Sequence, residues 1–240
     1  MTLPKAILFD LDDTLIAAHG APEAAWADVA LEFSDELHPL RDELVAAILV
    51  EATEYWSDPE RARRARLDID KARRAIVGNA FSRLGLDRRP VQQHDLVERL
   101  ATRFAQYRNE RMHLFDDAHQ VLDDVRRLGW RIGLVTNGAA AAQRAKIARF
   151  ELGSRVDHIQ IEGEAGYGKP DPRAYLTTLA ALDTEPDRAW MVGDNFEADV
   201  AGPQRVGILG CWYNPEGLAR PTGAREPFRT IARLSDLLSG

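Results

Sequence analysis

An α/β fold is what the sequence predicts: a parallel sheet covered by helices on both faces, interrupted by an inserted helical bundle. Three observations predict it. A short apolar run near the N-terminus, KAILFD from Lys5 to Asp10, ends abruptly in acid. A long stretch from about Ala21 to Met112 is almost continuously helix-forming, rich in Ala, Arg, Glu and Leu. After Phe115, short apolar strands alternate with helical segments, the rhythm of parallel strand–helix–strand units. At 240 residues the chain is long for one simple domain and short for two full-sized ones. One large core with one sizeable insertion fits that length.

Taken in order, KAILFD reads as a strand buried on both faces, because nothing in it alternates with polar residues. The helical block carries four apolar stripes at helical spacing. They are Trp26, Val29, Ala30, Phe33 and Leu37; Val45, Leu49, Ala52 and Trp56; Ile76, Ala80 and Leu84; and Val97, Leu100, Ala101 and Phe104. Four amphipathic helices predict a small bundle. The alternating part then gives a helix near Ala118 to Leu128, the strand RIGLVTN from Arg131 and a helix near Ala140 to Phe150. A strand around His158 to Glu162, a helix near Pro172 to Leu182 and the strand AWMVGD from Ala189 follow. A helix near Phe196 to Arg205 and the strand GILGCWY from Gly207 complete the series. The first strand is expected to join the later sheet, so the domains predicted are a core of residues 1–18 and 114–240 and a helical insertion of residues 19–113.

Composition removes several function classes. Hydrophobic residues at 45% and charged residues at 29% are globular proportions, which excludes a disordered or fibrous chain. The net charge of −7 argues against a nucleic-acid binder, and any anionic ligand must be met by local cations. No apolar run approaches the ~20 residues that span a bilayer, so no membrane partner is expected. Lys5, Asp10, Asp12 and Asp13 break up the N-terminal stretch, leaving no secretory apolar segment. The single cysteine, Cys211, reads as a small buried hydrophobe beside Trp212 in a reducing compartment, and a cytoplasmic location is expected.

In open parallel sheets, ligands gather beyond the carboxyl ends of the strands. Those ends here carry Asp10-Leu11-Asp12-Asp13-Thr14, Thr136-Asn137-Gly138, and Gly193-Asp194-Asn195 with Asp199 close behind, while Lys169 lies in the intervening GYGKPDP. If the strands are neighbours, several carboxylates meet one lysine in a single crevice. Such carboxylates repel unless a cation sits among them, and oxygen-only ligands select a hard ion such as magnesium. Thr136 and Asn137 precede a helix, where backbone N–H groups and the helix dipole favour a phosphate. The set is what phosphoryl transfer requires of a protein, charge neutralisation and positioning.

FDLDDTL, LVTNG, the lysine of GKPDP and MVGDNFEAD, in that order, resemble the four signature motifs of the haloacid dehalogenase superfamily. The likeness covers the whole sheet domain. It implies a Rossmann-like core, and the helical insertion is similar to the cap found between motifs one and two in one branch. The resemblance implies that Asp10 is a nucleophile forming a phosphoaspartyl intermediate and that Asp12 is the acid and then the base. Thr14 would orient Asp12 and the bound substrate, Thr136 and Asn137 would hold the phosphoryl oxygens, and Lys169 would bridge nucleophile and phosphate. Magnesium would be held by Asp10, by Asp12 through its backbone carbonyl, by Asp194, and by Asp199 through water unless Asp199 anchors Lys169 instead. The implied function is a magnesium-dependent phosphatase acting on a small phosphorylated metabolite.

Other members of the superfamily are the alternatives. A phosphosugar mutase uses the same groups and differs in how long the phosphoenzyme survives. A 2-haloacid dehalogenase needs neither the metal nor the second acid, so Asp12 and Asp194 argue against it, and a regulator without activity would not need the complete set. The stretch MVGDNFEADVAG followed by GCWYNPEG is similar to nucleotidases and acylneuraminate phosphatases. Asp13 and Asn195 read as capping or loop residues. The basic segment from Arg61 reads as a solvated helix face, Trp26, Trp56, Phe81 and Tyr107 as bundle core, and His19 and His113 as hinge residues.

Overall fold

The computed structural model describes residues 4–18, 20–86 and 90–238; His19 lies outside them. Its strands are β1 (Ala6–Phe9), β2 (Ile16–Ala17), β3 (His113–Leu114), β4 (Arg131–Thr136), β5 (His158–Ile161), β6 (Ala189–Gly193), β7 (Leu209–Tyr213) and β8 (Arg229–Ile231). The helices are α1 (Pro22–Glu32), α2 (Ser34–Leu37), α3 (Arg41–Trp56), α4 (Pro59–Arg66), α5 (Ile69–Arg83) and α6 (Pro90–Arg111), then α7 (Ala118–Arg127), α8 (Ala140–Arg149), α9 (Glu162–Ala165), α10 (Pro172–Ala181) and α11 (Gly202–Gln204). The chain divides into two compact units, Met1–Ala17 with His113–Gly240, and Ala18–Met112.

The first unit is built on a six-stranded sheet in the order β5-β4-β1-β6-β7-β8, every neighbour parallel. Counting only these strands along the chain, the order is 3-2-1-4-5-6, the doubly wound arrangement. Its direction of growth reverses beside β1, so β1 and β6 flank the switch point at which such sheets leave a crevice. All four residues of β1 are buried, which is what a central strand covered on both faces requires. Residues Ile132 to Thr136 of β4 are likewise buried without alternation, and α7 and α10 pack on that strand. The parallel sheet with helices, expected from the alternating rhythm, is the fold observed.

Three features differ in detail from the sequence reading. The predicted helix over Phe196–Arg205 starts as a wider π-helical segment, Phe196–Ala201, before α11. Pro203 has no N–H to donate to the carbonyl of Asp199, so the usual ladder cannot run through that point. A sixth strand, β8, adds to the sheet edge. The two-residue strands β2 and β3 pair antiparallel, Ile16 with Leu114 and Ala17 with His113, and so fasten together the two places where the chain leaves and re-enters this unit.

The second unit is all helical among its described residues. Helix α1 packs on α3 and α6, and α5 packs on the same two, closing a four-helix arrangement around the predicted stripes. Trp26 stacks face to face on Phe104 at 3.8 Å, and Phe81 and Tyr107 are buried in the same core with Trp56 packed against it. The short helices α2 and α4 are additions to the four that periodicity predicts. Helix α4 carries the basic segment, is capped by Asp58 accepting from Arg61 N–H at 2.8 Å, and buries only Ala65.

Candidate active site

Asp10 stands one residue past β1, its backbone N–H still bonded to Val192 of β6 at 2.9 Å. That bond carries the ladder to the strand's end and points the carboxylate over the switch point. Lys169 meets it there, its Nζ 2.7 Å from Asp10 Oδ1 and 2.6 Å from Asp199 Oδ1. The lysine is 3% exposed and Asp199 fully buried, so this is an interior charge cluster. Burial works against the Lys169 charge, yet Asp10 and Asp199 outweigh it and hold the ammonium above the usual lysine range. Burial pushes Asp10 well above the carboxylate range, with Lys169 opposing and Asp199 and Asp194 adding to the rise. Asp199 is raised for the same reason, again against the pull of Lys169.

Asp10, Asp194 and Asp199 each offer an oxygen within 4.8 Å of the others. With Lys169 as the cation among them, three carboxylates carry an excess of two negative charges when ionised, which a divalent ion would neutralise. The donors are all oxygen, the chemistry of magnesium rather than of a thiolate- or imidazole-seeking metal. Asp199 is the least available of the three, because Oδ1 accepts from Lys169 and Oδ2 accepts from Asn195 N–H at 3.0 Å. It anchors the lysine. Gly193 makes room for it: a Cβ there would lie 2.3 Å from the Asp199 carboxyl.

Asp194 is held from two sides. Thr14 Oγ1 donates to its Oδ1 at 3.2 Å and accepts from its backbone N–H at 3.1 Å, and Trp212 Nε1 donates to its carbonyl at 3.0 Å. Thr14 therefore serves Asp194, a correction to the expectation that it orients Asp12 or substrate; its one hydrogen is already donated. Burial, then repulsion from Asp199 and Asp13, pushes the Asp194 carboxyl up to about 6. A group raised in the folded state adds stability that is complete below about 4 and is lost as pH rises through 6. In metal-free protein Asp194→Asn should therefore raise the melting temperature at pH 7.5, by an amount worth up to about 3 kcal/mol, with the gain shrinking towards pH 4. Magnesium should stabilise the parent protein more than the variant, and thermal melts across pH with and without the ion would expose any other pattern.

The remaining residues meet different partners from those expected. The Asn137 side chain clamps the Lys169 backbone, donating from Nδ2 to the carbonyl at 2.7 Å and accepting the N–H at 2.8 Å. It fixes the lysine loop, a correction to the expectation that this side chain holds phosphate. The Asp12 carboxylate is gripped by Lys146 at 2.7 and 2.8 Å and by Gln143 Nε2 at 2.9 Å, and Gln143 also reaches Thr136 Oγ1 at 2.5 Å. Neither helix residue is flagged by the sequence motifs, nor is the buried Glu162, which accepts from Gly138 N–H at 3.0 Å and shapes the turn after β4. Asn195 caps the π-helical segment by accepting from Ala198 N–H at 3.0 Å. Asp13 takes a left-handed backbone, φ 58°, in the turn that follows Asp12.

The family signature of haloacid dehalogenase-like hydrolases matches residues 4–207, most of the chain. The chain belongs to that family. As a haloacid dehalogenase-like protein it is an enzyme of the hydrolase class. It is 31% identical to a phosphoserine phosphatase from Thermus thermophilus over 88% of each chain. It is 28% identical to N-acylneuraminate-9-phosphatase from Mus musculus over 97% of this chain and 92% of that one, in keeping with the local likeness seen in MVGDNFEADVAG. Among solved structures, a 2-haloacid dehalogenase from Pseudomonas syringae is similar at 27% identity and a TM-score of 0.61, over 98% of this chain and 96% of the other.

Proposed function

We propose that the chain is a magnesium-dependent phosphatase that hydrolyses a small phosphomonoester through a phosphoaspartyl intermediate on Asp10. The observation that carries this reading is the buried cluster of Asp10, Asp194 and Asp199 around Lys169, whose excess negative charge a dehalogenation site would not need. Magnesium, held by Asp10, Asp194 and the Asp12 carbonyl, would supply positive charge to the transferring phosphoryl group. Asp10 attacks phosphorus as the ester P–O bond breaks, and Asp12 gives a proton to the departing oxygen. Water then attacks the phosphoaspartyl phosphorus and loses a proton to Asp12, and the P–O bond to Asp10 breaks to release phosphate, restoring the Asp10 carboxylate and the protonated Asp12. Lys169 stabilises the Asp10 carboxylate and the developing charge, while Thr136 and the backbone N–H groups after β4 receive phosphoryl oxygens.

Substrate choice is assigned to the helical unit Ala18–Met112, and a cytoplasmic location belongs to the same proposal. Among the described residues no helix is long and apolar enough to cross a membrane. Cys211 is buried, with its thiol pushed up to about 12 by burial, in keeping with a packing role.

The deciding experiment is phosphate release from a panel of monoesters that includes phosphoserine, acylneuraminate 9-phosphate, nucleoside 5′-phosphates and sugar phosphates. Release with magnesium that stops on chelation supports the reading. Chloride release from a 2-haloacid without metal, with no phosphate released from any ester, would replace it with the dehalogenase. Phosphate retained on a sugar as an isomeric ester would instead indicate the mutase.

A further inference from the structure

Asp12 handles the proton in both halves of the proposed reaction, so whatever fixes its carboxylate affects the outcome. Its hydrogen-bond partners among the described residues lie outside its own loop. Both fixing groups come from α8, which begins four residues beyond β4 and so starts at the carboxyl edge of the sheet. Gln143 and Lys146 lie three residues apart, on one face of that helix. Lys146 Nζ sits between the two Asp12 oxygens, at 2.7 and 2.8 Å. Gln143 Nε2 has two hydrogens, and it lies 2.9 Å from Asp12 Oδ2 and 2.5 Å from Thr136 Oγ1. The amide thus spans the proton carrier and the strand end assigned to the phosphoryl oxygens.

Burial separates this from an ordinary surface ion pair, which contributes little. The Gln143 residue is 2% exposed, and the Lys146 and Asp12 side chains 19% and 17%. A carboxylate held through both oxygens cannot turn about its terminal bond, and the same helix sets its distance from Thr136. We infer that Lys146 and Gln143 are positioning residues that hold Asp12 in the orientation needed to accept a proton from water when the phosphoenzyme is hydrolysed. The inference rests on the reading of Asp10 and Asp12 given under the proposed function. It assigns a role to two residues of α8 that lie outside the signature motifs.

The consequence is a change in how the two chemical steps divide, rather than a uniform loss. With p-nitrophenyl phosphate the leaving oxygen needs no proton, so phosphoenzyme formation does not depend on Asp12, whereas hydrolysis does. Lys146→Met, assayed with this ester and magnesium by rapid quench, should keep the p-nitrophenol burst rate within about twofold. Its steady-state turnover should fall roughly 10- to 100-fold, and the phosphorylated fraction seen by mass spectrometry of the acid-quenched protein should rise. Lys146→Arg, which keeps a cation within reach of both oxygens, should restore most of the turnover. Gln143→Leu should show the same imbalance in smaller measure.

Equal losses in burst and steady state would mean that Lys146 merely supports the fold, and an unchanged phosphorylated fraction, or Arg behaving like Met, would equally end the proposal. Failure of the underlying reading looks different: the parent protein would form no phosphoenzyme, and Asp10→Asn would leave turnover intact. A parent protein that is phosphorylated on Asp10 and a Lys146→Met variant with no imbalance would leave the phosphatase standing and remove only the clamp.

Discussion

Asp10→Asn should remove turnover by about 10⁴-fold or more and leave no phosphorylated protein. The amide is nearly isosteric with the carboxylate, so the end of β1 keeps its backbone bond to Val192 and its place over the switch point. What disappears is the attacking oxygen anion. The substitution also removes one of the charges around Lys169, whose Nζ still has Asp199 at 2.6 Å to satisfy it. The fold is therefore expected to survive, and circular dichroism with a thermal melt would verify that. Magnesium affinity should weaken without vanishing, because Asp194 and the Asp12 carbonyl remain to hold the ion. A folded variant that kept even one-hundredth of parental turnover would show that another group attacks phosphorus, and the assignment of Asp10 would fall.

The sheet and the motif carboxylates were legible because each declares itself locally. A run such as AILF with no polar alternation, bounded within a few residues, reads as a strand covered on both faces, and an acid at its end has no core partner within the segment. Placing Asp10 and Asp194 together needed the rule that strand ends of a parallel sheet face one crevice and the adjacency of β1 and β6, whereas Lys169, in a loop beyond β5, came with the motif resemblance. The groups that hold those residues were not legible. Gln143 and Lys146 occur in AAAAQRAKIARF, where an isolated glutamine and lysine read as the solvated side of a helix. Their bonds to Asp12 span 131 and 134 residues of chain, and no local period encodes such a convergence. Thr14 was visible as a strand-end hydroxyl, but whether it served Asp12 or Asp194 depended on the turn through Asp13, whose left-handed backbone the sequence does not announce. The strands β2 and β3 are two residues each, too short for alternation to register, and β8 follows a Pro- and Gly-containing stretch with no strand pattern of its own.

Lys169→Met tests the electrostatic account from the opposite side, by removing the cation and leaving the carboxylates. In the parent protein Asp10 and Asp199 are buried and depend on Lys169 Nζ at 2.7 and 2.6 Å. Deleting one partner of a buried ion pair strands the other's charge, at a cost of about 3–5 kcal/mol. The variant should therefore unfold at markedly lower denaturant at pH 7.5. Its pH dependence has a definite sign. With the lysine gone, burial lifts both carboxyl groups further, so the folded state binds protons more tightly than the unfolded one and gains stability as pH falls. The stability gap between parent and variant should then narrow between pH 7.5 and pH 5, and added magnesium should narrow it at pH 7.5 by supplying the missing positive charge. Turnover should fall by more than about 100-fold even where the protein is folded, since a preorganised charge at the reacting phosphoryl group has been lost. A penalty of the same size at both pH values, unmoved by magnesium, would mean that Lys169 contributes through the packing of its methylene chain, and the charge cluster would no longer support the proposed divalent-ion site.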